Sequence, residues 1–403
     1  MDLGPQTLPM DALPTLLAGA GFDLLDGVRV LDLTGSVSGP YAAMLLGDLG
    51  ADVAKLERPD APDDCRAWGP PFLHGESLWF AAVNRNKRAI ALDTATPAGG
   101  ETLRRLIAAA DVMLVSQPPR VLRKLGLDAA ACHALNPALV HVAITGFGQH
   151  GERADQTCYD LIAEGHSGVM DLTGLPDGPP QKVGAPAADL LAGQDAAMAA
   201  IAALFRRQRT GRGAALDISL VESMTRFLAC RIVPHLGSGQ VFRRSGGTDS
   251  VIAVYQAFET ADAPMTLGLG NDAIWARFWA ALGLPGNARE PRHATNAQRH
   301  ADRPAIVAEI AAILRTRPRA HWLEVLAAAR VPAGPINRVD EVAMDPALHA
   351  RGLFFTLEAE GRRVPQVGLG IGLDGAPCVP RRPPPRLGEH TDEILHDWLG
   401  ERA

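Results

Sequence analysis

Short apolar runs alternate with longer helix-forming segments along the N-terminal part of the chain. Runs rich in Val, Ile and Leu between turn residues predict strands, and the segments between them predict helices. Strands separated by helices of this length indicate a parallel sheet with helices on both faces. The predicted strands are residues 29–33, 52–57, 89–93, 111–115 and 139–145, and the predicted helices include 9–20, 41–50 and 97–110.

The pattern changes near Gly211, after which strands and helices are mixed. Strands are predicted at 215–220, 253–259 and 264–269, and helices at 222–236, 273–282, 304–314 and 318–330. A Pro- and Gly-rich segment, 331–335, is typical of a linker. We therefore expect a large α/β domain in 1–210, a smaller α+β domain in 211–330, and a linker with a C-terminal segment in 331–403.

One carboxylate in the stretch 181–213 lies where chemistry is expected. Small, turn-prone residues precede Asp189, and an apolar helix at 190–205 follows and ends before Gly211. This order places Asp189 at or just before a helix N-terminus, where unpaired N–H groups and the helix dipole favour its ionised form. Asp189 is then either a plain N-cap or a nucleophilic carboxylate held against an acyl carbon. The spacing alone leaves both interpretations open.

Composition narrows the class of protein. The 403 residues are enough for two domains, and 47% apolar with 21% charged residues is typical of a soluble globular protein. A net charge of −6 gives no support to nucleic-acid binding. Five scattered cysteines without CxxC spacing favour reduced thiols in a cytoplasm over disulfides or a metal site. We also find no signal peptide and no apolar run of about 20 residues, so we expect no membrane span.

The first loop of the predicted sheet, 35–40, lacks the GxGxxG fingerprint, since only Gly35 and Gly39 are present. A dinucleotide site is therefore not predicted from this motif alone. Ligands of parallel sheets still bind beyond the carboxyl ends of the strands. In this chain those ends carry residues 35–40, 57–58, 94–95, 116–119 and 146–148.

Several stretches, in order over nearly the whole chain, resemble the class III CoA-transferases, a superfamily that includes carnitine-CoA and formyl-CoA transferases and α-methylacyl-CoA racemases. Among them are RVLDLTGSVSGPYAAMLLGDLGADVAKLERP from Arg29, YDLIAEGHSGVM from Tyr159, TGRGAALDISLVESM from Thr210 and PRLGEHTDEIL from Pro385. The resemblance implies a Rossmann-like large domain formed by the N- and C-terminal segments, a smaller α+β domain, and a homodimer of interlinked chains.

The resemblance also implies an activity. In the transferases of this family the nucleophile is an aspartate at the position that matches Asp189. CoA would move from an acyl-CoA donor to a carboxylic acid acceptor through an aspartyl-CoA thioester on Asp189. Coenzyme A and acyl-CoA are then substrates, with no tightly bound cofactor and no metal. A glycine loop that covers the intermediates in the family matches residues 245–248, which contain two glycines.

Further residues are implied as CoA contacts by the same resemblance. They are Val37, Ser38, Arg58, Leu92, Ala95, Ser116, Gln117, Lys124 and Tyr159. Ser116 and Gln117 replace the Asn-Phe pair that is common in the family, and Lys124 replaces an arginine. Without the family, Arg58 and Lys124 are equally interpreted as solvated charges, and Tyr159 as a core residue.

Two alternatives stay open. A racemase needs an acid and a base on opposite faces of the α-carbon, but Tyr159 stands where racemases have a histidine, and His166 is displaced along the chain. A non-catalytic acyl-CoA-binding protein would keep the fold without the chemistry, although the presence of Asp189 argues against it. The sequence does not identify the donor or the acceptor acid.

Overall fold

The structure, a computed structural model, describes residues 8–17, 19, 21–359 and 361–400. Its strands are β1 (Thr15–Leu17), β2 (Arg29–Leu33), β3 (Asp52–Glu57), β4 (Phe72–Leu73), β5 (Glu76–Ser77), β6 (Lys87–Ala91), β7 (Val112–Val115), β8 (Val140–Thr145), β9 (Ala214–Ser219), β10 (Tyr255–Phe258), β11 (Met265–Gly268), β12 (Ala333–Pro335), β13 (Phe354–Ala359), β14 (Arg362–Val367), β15 (Gly372–Leu373) and β16 (Ala376–Pro377).

The helices connect these strands. They are α1 (Ser38–Asp48), α2 (Leu78–Val83), α3 (Pro97–Ala109), α4 (Pro119–Leu125), α5 (Ala129–Leu135), α6 (Asp160–Ser167), α7 (Val169–Leu172), α8 (Ala187–Thr210), α9 (Leu220–Phe227), α10 (Ala229–Ser238), α11 (Asp272–Ala281), α12 (Asn296–Ala301), α13 (Arg303–Leu314), α14 (Arg319–Ala328), α15 (Val339–Ala343), α16 (Pro346–Ala350) and α17 (Thr391–Leu399). Short 3₁₀ helices cover Pro9–Ala12, Asp64–Ala67, Asn287–Arg289 and Pro291–His293.

A six-stranded parallel sheet forms the centre of the first compact unit, which comprises Met1–Val169, Lys182–Gly237 and Asp345–Ala403. The strands lie in the order β6-β3-β2-β7-β8-β9, and every neighbouring pair is parallel. Counted along the chain this is 3-2-1-4-5-6, the order of Rossmann-like sheets. The predicted parallel α/β architecture is confirmed. Strands β7 and β8 are buried throughout, as central strands of such sheets are.

The C-terminal segment returns to this unit and completes its core. Ile394 and Trp398 of α17 pack among buried side chains of the sheet and of α3. The Trp398 indole N–H also donates to the Asp52 carboxylate at 2.8 Å. A distant part of the sequence thus closes one side of the sheet that the N-terminal strands build.

Strand β6 begins at Lys87, two residues earlier than predicted. The two charged residues that begin β6, Lys87 and Arg88, are both buried. Lys87 forms an ion pair with Asp32 at 2.9 Å, and Arg88 with Asp52 at 2.6 Å. Partners on β2 and β3 therefore neutralise these buried charges of β6.

The predicted boundary at 211 differs from the structure. Residues 214–219 form β9, which pairs in parallel with β8 as the sixth strand of the main sheet. The pairing runs from Val140 with Ala214 to Thr145 with Ser219. It provides hydrogen-bond partners for the backbone of β8, which would otherwise be the open edge of the sheet. Residues 182–237 accordingly belong to the first unit.

The second unit comprises Met170–Gln181 and Ser238–Met344. Its three-stranded antiparallel sheet, β10-β11-β12, packs with α11, α13 and α14 through a core that includes Phe278, Trp279 and Leu326. Residues 331–335, predicted as a linker, instead supply β12, which pairs with β11. The unit also includes 170–181, which the predicted domain 211–330 left out.

The N-terminal region 9–20 does not form the predicted helix in its described residues. A 3₁₀ turn at Pro9–Ala12 is followed by β1, which pairs in parallel with β13. Residues 18 and 20 lie outside the described residues. The strand depends on a partner more than 300 residues away, which no local pattern reveals.

Helix α8 begins at Ala187, before Asp189, and ends at Thr210. Gly211 terminates it in the left-handed conformation, with φ 66°, as the sequence predicts. By length and composition α8 is apolar enough to cross a membrane, which corrects our expectation that no such segment exists. Half of the most apolar 18-residue segment of α8 is buried in the structure. Core helices of globular proteins are often as long and as apolar as α8.

A glycine brings α8 into close contact with α1. A Cβ added to Gly193 would lie 2.5 Å from the Ser38 carbonyl oxygen and 3.0 Å from the Tyr41 ring. Because residues four apart share one face of a helix, the same approach turns Asp189 toward the start of α1. Only glycine fits this position without a shift of one helix.

We predict that Gly193→Ala lowers the free energy of unfolding by about 1–3 kcal/mol, because the added methyl overpacks a backbone contact. Urea denaturation measures the change. Gly237→Ala in α10 is the matched control, since its Cβ meets nothing within 4 Å. Gly237 lies in the last turn of α10 in an ordinary backbone conformation, so alanine there should leave the stability unchanged or raise it slightly. Equal stability of the two variants would contradict the tight approach.

Candidate active site

A cleft of about 610 Å³ opens at the carboxyl edge of the parallel sheet. Each of the five strand-end stretches named from the sequence contributes to its wall. The contributing residues are Gly35, Ser36, Ser38, Glu57, Arg58, Thr94, Ser116, Gln117, Pro118 and Gly146. The volume lies within the range of small-molecule sites. All of the wall belongs to the first unit.

The cleft includes the point where the strand order reverses. Strands β2 and β7 are neighbours, but the chain leaves them toward opposite sides of the sheet. The loops after them both line the cleft, through residues 34–36 and 116–118. Ligands of open parallel sheets bind in the crevice at such a switch point.

Buried charges hold the loop after β2. Lys55 is fully buried and pairs with Asp63 at 2.8 Å while it donates to the Thr34 carbonyl at 2.8 Å. Asp63 accepts the Ser36 N–H at 2.9 Å. Ser36 has φ 68°, a left-handed conformation that is uncommon outside glycine. The contact from Asp63 therefore fixes a backbone shape that the loop would not adopt alone.

A second buried ion pair joins β2 and β6. Lys87 donates to Asp32 at 2.9 Å and to the Asn84 carbonyl oxygen at 2.7 Å. Burial opposes the charge of Asp32, but Lys87 and Lys55 together hold its pKa below the ordinary value. Burial also lowers the pKa of Lys87 to about 8, against the attraction of Asp32.

Asp189 lies in the first turn of α8 and on the wall of the cleft, with 7% of its surface exposed. It is not the N-cap, because the helix starts two residues earlier and the N-cap position is Pro186. Pro186 has no side-chain acceptor for the free N–H groups of the first turn. Of the two open interpretations, the plain N-cap is therefore wrong.

Another carboxylate provides the missing acceptor. Asp160, the first residue of α6, accepts the Ala188 N–H at 2.8 Å and the Asp189 N–H at 3.3 Å. One turn later on α6, Glu164 accepts the Val183 N–H at 2.8 Å. Asp160 and Glu164 of α6 thus hold the backbone segment that contains Asp189 and the residues before it.

The surroundings of Asp189 make it weakly acidic. Burial, together with the nearby negative charge of Asp160, raises the pKa of Asp189 to about 7, and a hydrogen bond from Ser38 opposes the change. Asp189 also contributes to the pKa of the Cys158 thiol, which burial first of all raises to about 11. Near neutral pH, Asp189 is therefore ionised in some molecules and protonated in others, whereas the thiol of Cys158 is uncharged.

Five of the predicted contact residues line this cleft together with Asp189. They are Ser38, Arg58, Ser116, Gln117 and Tyr159. Tyr159 is 62% exposed, so it is not a core residue. Arg58 is partly exposed and pairs with Asp60 at 2.6 Å. Gln117 donates to the Leu33 carbonyl at 3.2 Å, whereas its own carbonyl oxygen is buried without a hydrogen-bond partner among the described residues.

Four predicted contact residues do not line the cleft. Val37 is the buried N-cap residue of α1. Leu92 packs against the core, and the exposed Ala95 donates its N–H to Asp93 at 3.0 Å. Lys124 is exposed in the last turn of α4, although its neighbour Leu125 reaches the cleft.

Other wall residues were missed from the sequence, among them Asp63, Thr145, Gln156 and Cys158. Thr145 ends β8, so the strand-end rule could have identified it. Asp63 and Gln156 lie in irregular segments that carry no pattern. His166, weighed as a racemase base, is exposed, packs on Phe147 and is not among the wall residues. Among the described residues, no group of three or more His, Cys, Asp or Glu is arranged to hold a metal ion.

Known proteins are similar to this sequence over nearly its full length. The family model CoA-transferase family III matches residues 25–391. A succinate–glutarate CoA-transferase of Agrobacterium fabrum is 39% identical over 378 residues, which cover 92% of this chain and 94% of that protein. A succinyl-CoA:glutarate CoA-transferase of Mus musculus is 35% identical over 376 residues, which cover 93% of this chain and 86% of that protein.

The architecture is shared as well. The crystal structure of a CAIB/BAIF family protein from Brucella suis superposes with a TM-score of 0.82 at 38% identity. The superposition covers 94% of this chain and 100% of that one. The resemblance that the sequence motifs indicated is thereby confirmed. The chain belongs to CoA-transferase family III, and like its relatives it is a CoA-transferase.

Proposed function

We propose that the enzyme transfers CoA from an acyl-CoA to a carboxylic acid through an aspartyl-CoA thioester on Asp189. The observation that carries this proposal is the position of Asp189: a nearly buried carboxylate on the cleft wall, with a pKa of about 7. A carboxylate that is ionised at neutral pH, yet more basic than an ordinary aspartate, is suited to attack a thioester.

The chemistry balances without any further reactant. The Asp189 oxygen bonds to the acyl carbon, the carbon–sulfur bond breaks, and CoA leaves as a thiolate. The thiolate then attacks the Asp189 carbonyl carbon, and the donor acid leaves as a carboxylate. The acceptor carboxylate attacks the resulting thioester to form a second anhydride and release the thiolate. Attack of the thiolate on the acceptor carbonyl gives the new acyl-CoA and restores the Asp189 carboxylate.

The other wall residues have binding roles in this proposal. Arg58 provides a positive charge for a phosphate of CoA. The unpartnered oxygen of Gln117 accepts a hydrogen bond from the ligand, because a buried acceptor without a partner is costly. Tyr159 presents its exposed ring near the thiol end. CoA is in this view a substrate that comes and goes, not a resident cofactor.

The substrates we propose are dicarboxylic acids. The Agrobacterium relative is named for succinate and glutarate, and the mouse relative for succinyl-CoA and glutarate. We propose succinyl-CoA as the donor and a short dicarboxylate as the acceptor, in the cytoplasm. The racemase alternative has no supporting contact, because His166 is not among the cleft residues.

We predict that Asp189→Ala and Asp189→Asn abolish covalent attachment of CoA. Wild-type enzyme incubated with succinyl-CoA, without acceptor, should gain a CoA-sized mass on the peptide that contains Asp189. Because the nucleophile is lost, turnover with glutarate should fall by more than about 10³-fold in both variants. Intact-protein and peptide mass spectrometry, with a coupled turnover assay, give the two readouts.

The control for this prediction is Asp374→Asn, which removes a carboxylate from the exposed turn between β15 and β16. Asn tolerates the positive φ of 51° at this position, so adduct and turnover should match the wild type. If the protein only binds acyl-CoA and catalyses no transfer, the wild type will bind succinyl-CoA but form no adduct.

We also predict that kcat/KM rises with pH through about 7 and then levels off. The attacking form is the ionised carboxylate, and the pKa of Asp189 is about 7. Below this pH the rate should fall about tenfold per pH unit, because the protonated acid is no nucleophile. Steady-state rates between pH 5 and 9 test this. A profile that is flat down to pH 5 would indicate an aspartate with its ordinary pKa of about 3.9.

The enzyme is, in our proposal, a homodimer, as the family resemblance implies. Exposed apolar side chains of α9 and α10 support this, among them Phe227, Val233 and Leu236. Light scattering coupled to size exclusion should give twice the mass of one chain, also after dilution to about 1 μM. A monomer mass under the same conditions would rule the dimer out.

A further inference from the structure

The N-terminus of α8 is capped by a charged side chain although a neutral one would suffice. Asp160 accepts two N–H groups of the first turn of α8, those of Ala188 and Asp189, at 2.8 and 3.3 Å. A serine, threonine or asparagine oxygen caps a helix about as well as an aspartate. The aspartate brings one negative charge to the turn that already contains the Asp189 carboxylate.

We propose that Asp160 is a positioning residue that acts on the reaction through Asp189: it holds the first turn of α8 and places a negative charge beside Asp189, which makes Asp189 a more basic nucleophile. This inference rests on the proposed covalent route and adds to it a residue with a defined effect. Asp160 itself touches no reacting atom in this proposal.

The geometry explains how two carboxylates can lie so close together. Free N–H groups and the helix dipole stabilise negative charge at a helix N-terminus. Asp160 accepts two of these N–H groups. Asp189 is left with the hydrogen bond from Ser38, its own burial and the charge of Asp160. Because burial and the charge of Asp160 outweigh the hydrogen bond from Ser38, Asp189 becomes more basic.

Titratable groups of the segment 158–164 interact with Asp189 or with one another. Asp160 on α6 contributes a negative charge. Cys158, which precedes α6, is an uncharged thiol at neutral pH. Glu164, one turn along α6, interacts with Asp160, and its burial, more than the charge of Asp160, raises its pKa. No cation is among the groups that shift the pKa of Asp189, whereas the charge of Lys182 acts on Glu164.

The test compares Asp160→Asn with the wild type. Asparagine keeps an oxygen that can accept both N–H groups, but it has no charge. The ionisation of Asp189 is followed by infrared titration of ¹³C-aspartate protein, with Asp189→Asn as the spectral reference. In parallel, the rate of CoA-adduct formation with succinyl-CoA is measured against pH in the absence of acceptor.

We expect the Asp189 midpoint of Asp160→Asn to lie lower by about one pH unit, the size of effect that a neighbouring charge produces. The acidic limb of the adduct rate should move by the same amount, and the rate above pH 8 should fall severalfold, because a less basic carboxylate is a weaker nucleophile. The thermal unfolding midpoint should stay near that of the wild type. Glu152→Gln, which removes one exposed carboxylate, should change none of these quantities.

The outcomes separate this inference from the proposed function. If the Asp189 midpoint of Asp160→Asn equals that of the wild type, Asp160 is only a cap and the inference is overturned. If the midpoint shifts but the wild type forms no adduct, the covalent route fails while the electrostatic coupling stands. Should Asp160→Asn not fold, Asp160→Ser, which keeps an acceptor oxygen without charge, is expected to lower the midpoint in the same way.

Discussion

The cleft depends on the pairing of buried charges beneath it. Asp32 faces Lys87, and Lys55 faces Asp63, on or next to three adjacent strands of the sheet. An unpaired charge at such a depth would cost several kcal/mol, so each partner must remain in place. Because Asp63 also holds the strained Ser36 backbone, the same pairing that satisfies the sheet interior fixes the loop after β2. The entrance to α1, and with it the position of Ser38, follows from that loop.

The surroundings of Asp189, the nucleophile that we propose, are assembled from segments that are far apart in the sequence. Gly193 lets α8 lie against the backbone of α1, and this approach brings Asp189 to Ser38. Helix α6 arrives from a third direction and caps α8 through Asp160. A cap taken from another helix ties the orientation of the first turn of α8 to tertiary packing instead of to local sequence. We regard this as the reason that Pro186, a residue without any side-chain acceptor, is tolerated at the N-cap position.

The basicity of Asp189 results from opposing influences, of which burial is the largest. Burial and the charge of Asp160 favour the protonated acid, whereas Ser38 and the helix N-terminus favour the carboxylate. An ordinary aspartate would be ionised at neutral pH but weakly basic, and a fully desolvated one would stay protonated. A pKa near 7 lies between these limits. The site can therefore supply a basic carboxylate at neutral pH.

The sequence by itself determined the parallel α/β architecture, the helix that ends before Gly211, the family and the candidate nucleophile, because these follow from local periodicity, helix-terminating residues and ordered motifs. The sequence pattern started β6 two residues too late and assigned β9 to the second domain. It also predicted a linker where β12 lies and a helix in the N-terminal segment that contains β1. Lys87 and Arg88 belong to a buried strand only because Asp32 and Asp52 face them. Strand pairing, charge compensation and the cap from Asp160 join residues distant along the chain, so only the tertiary structure decided them.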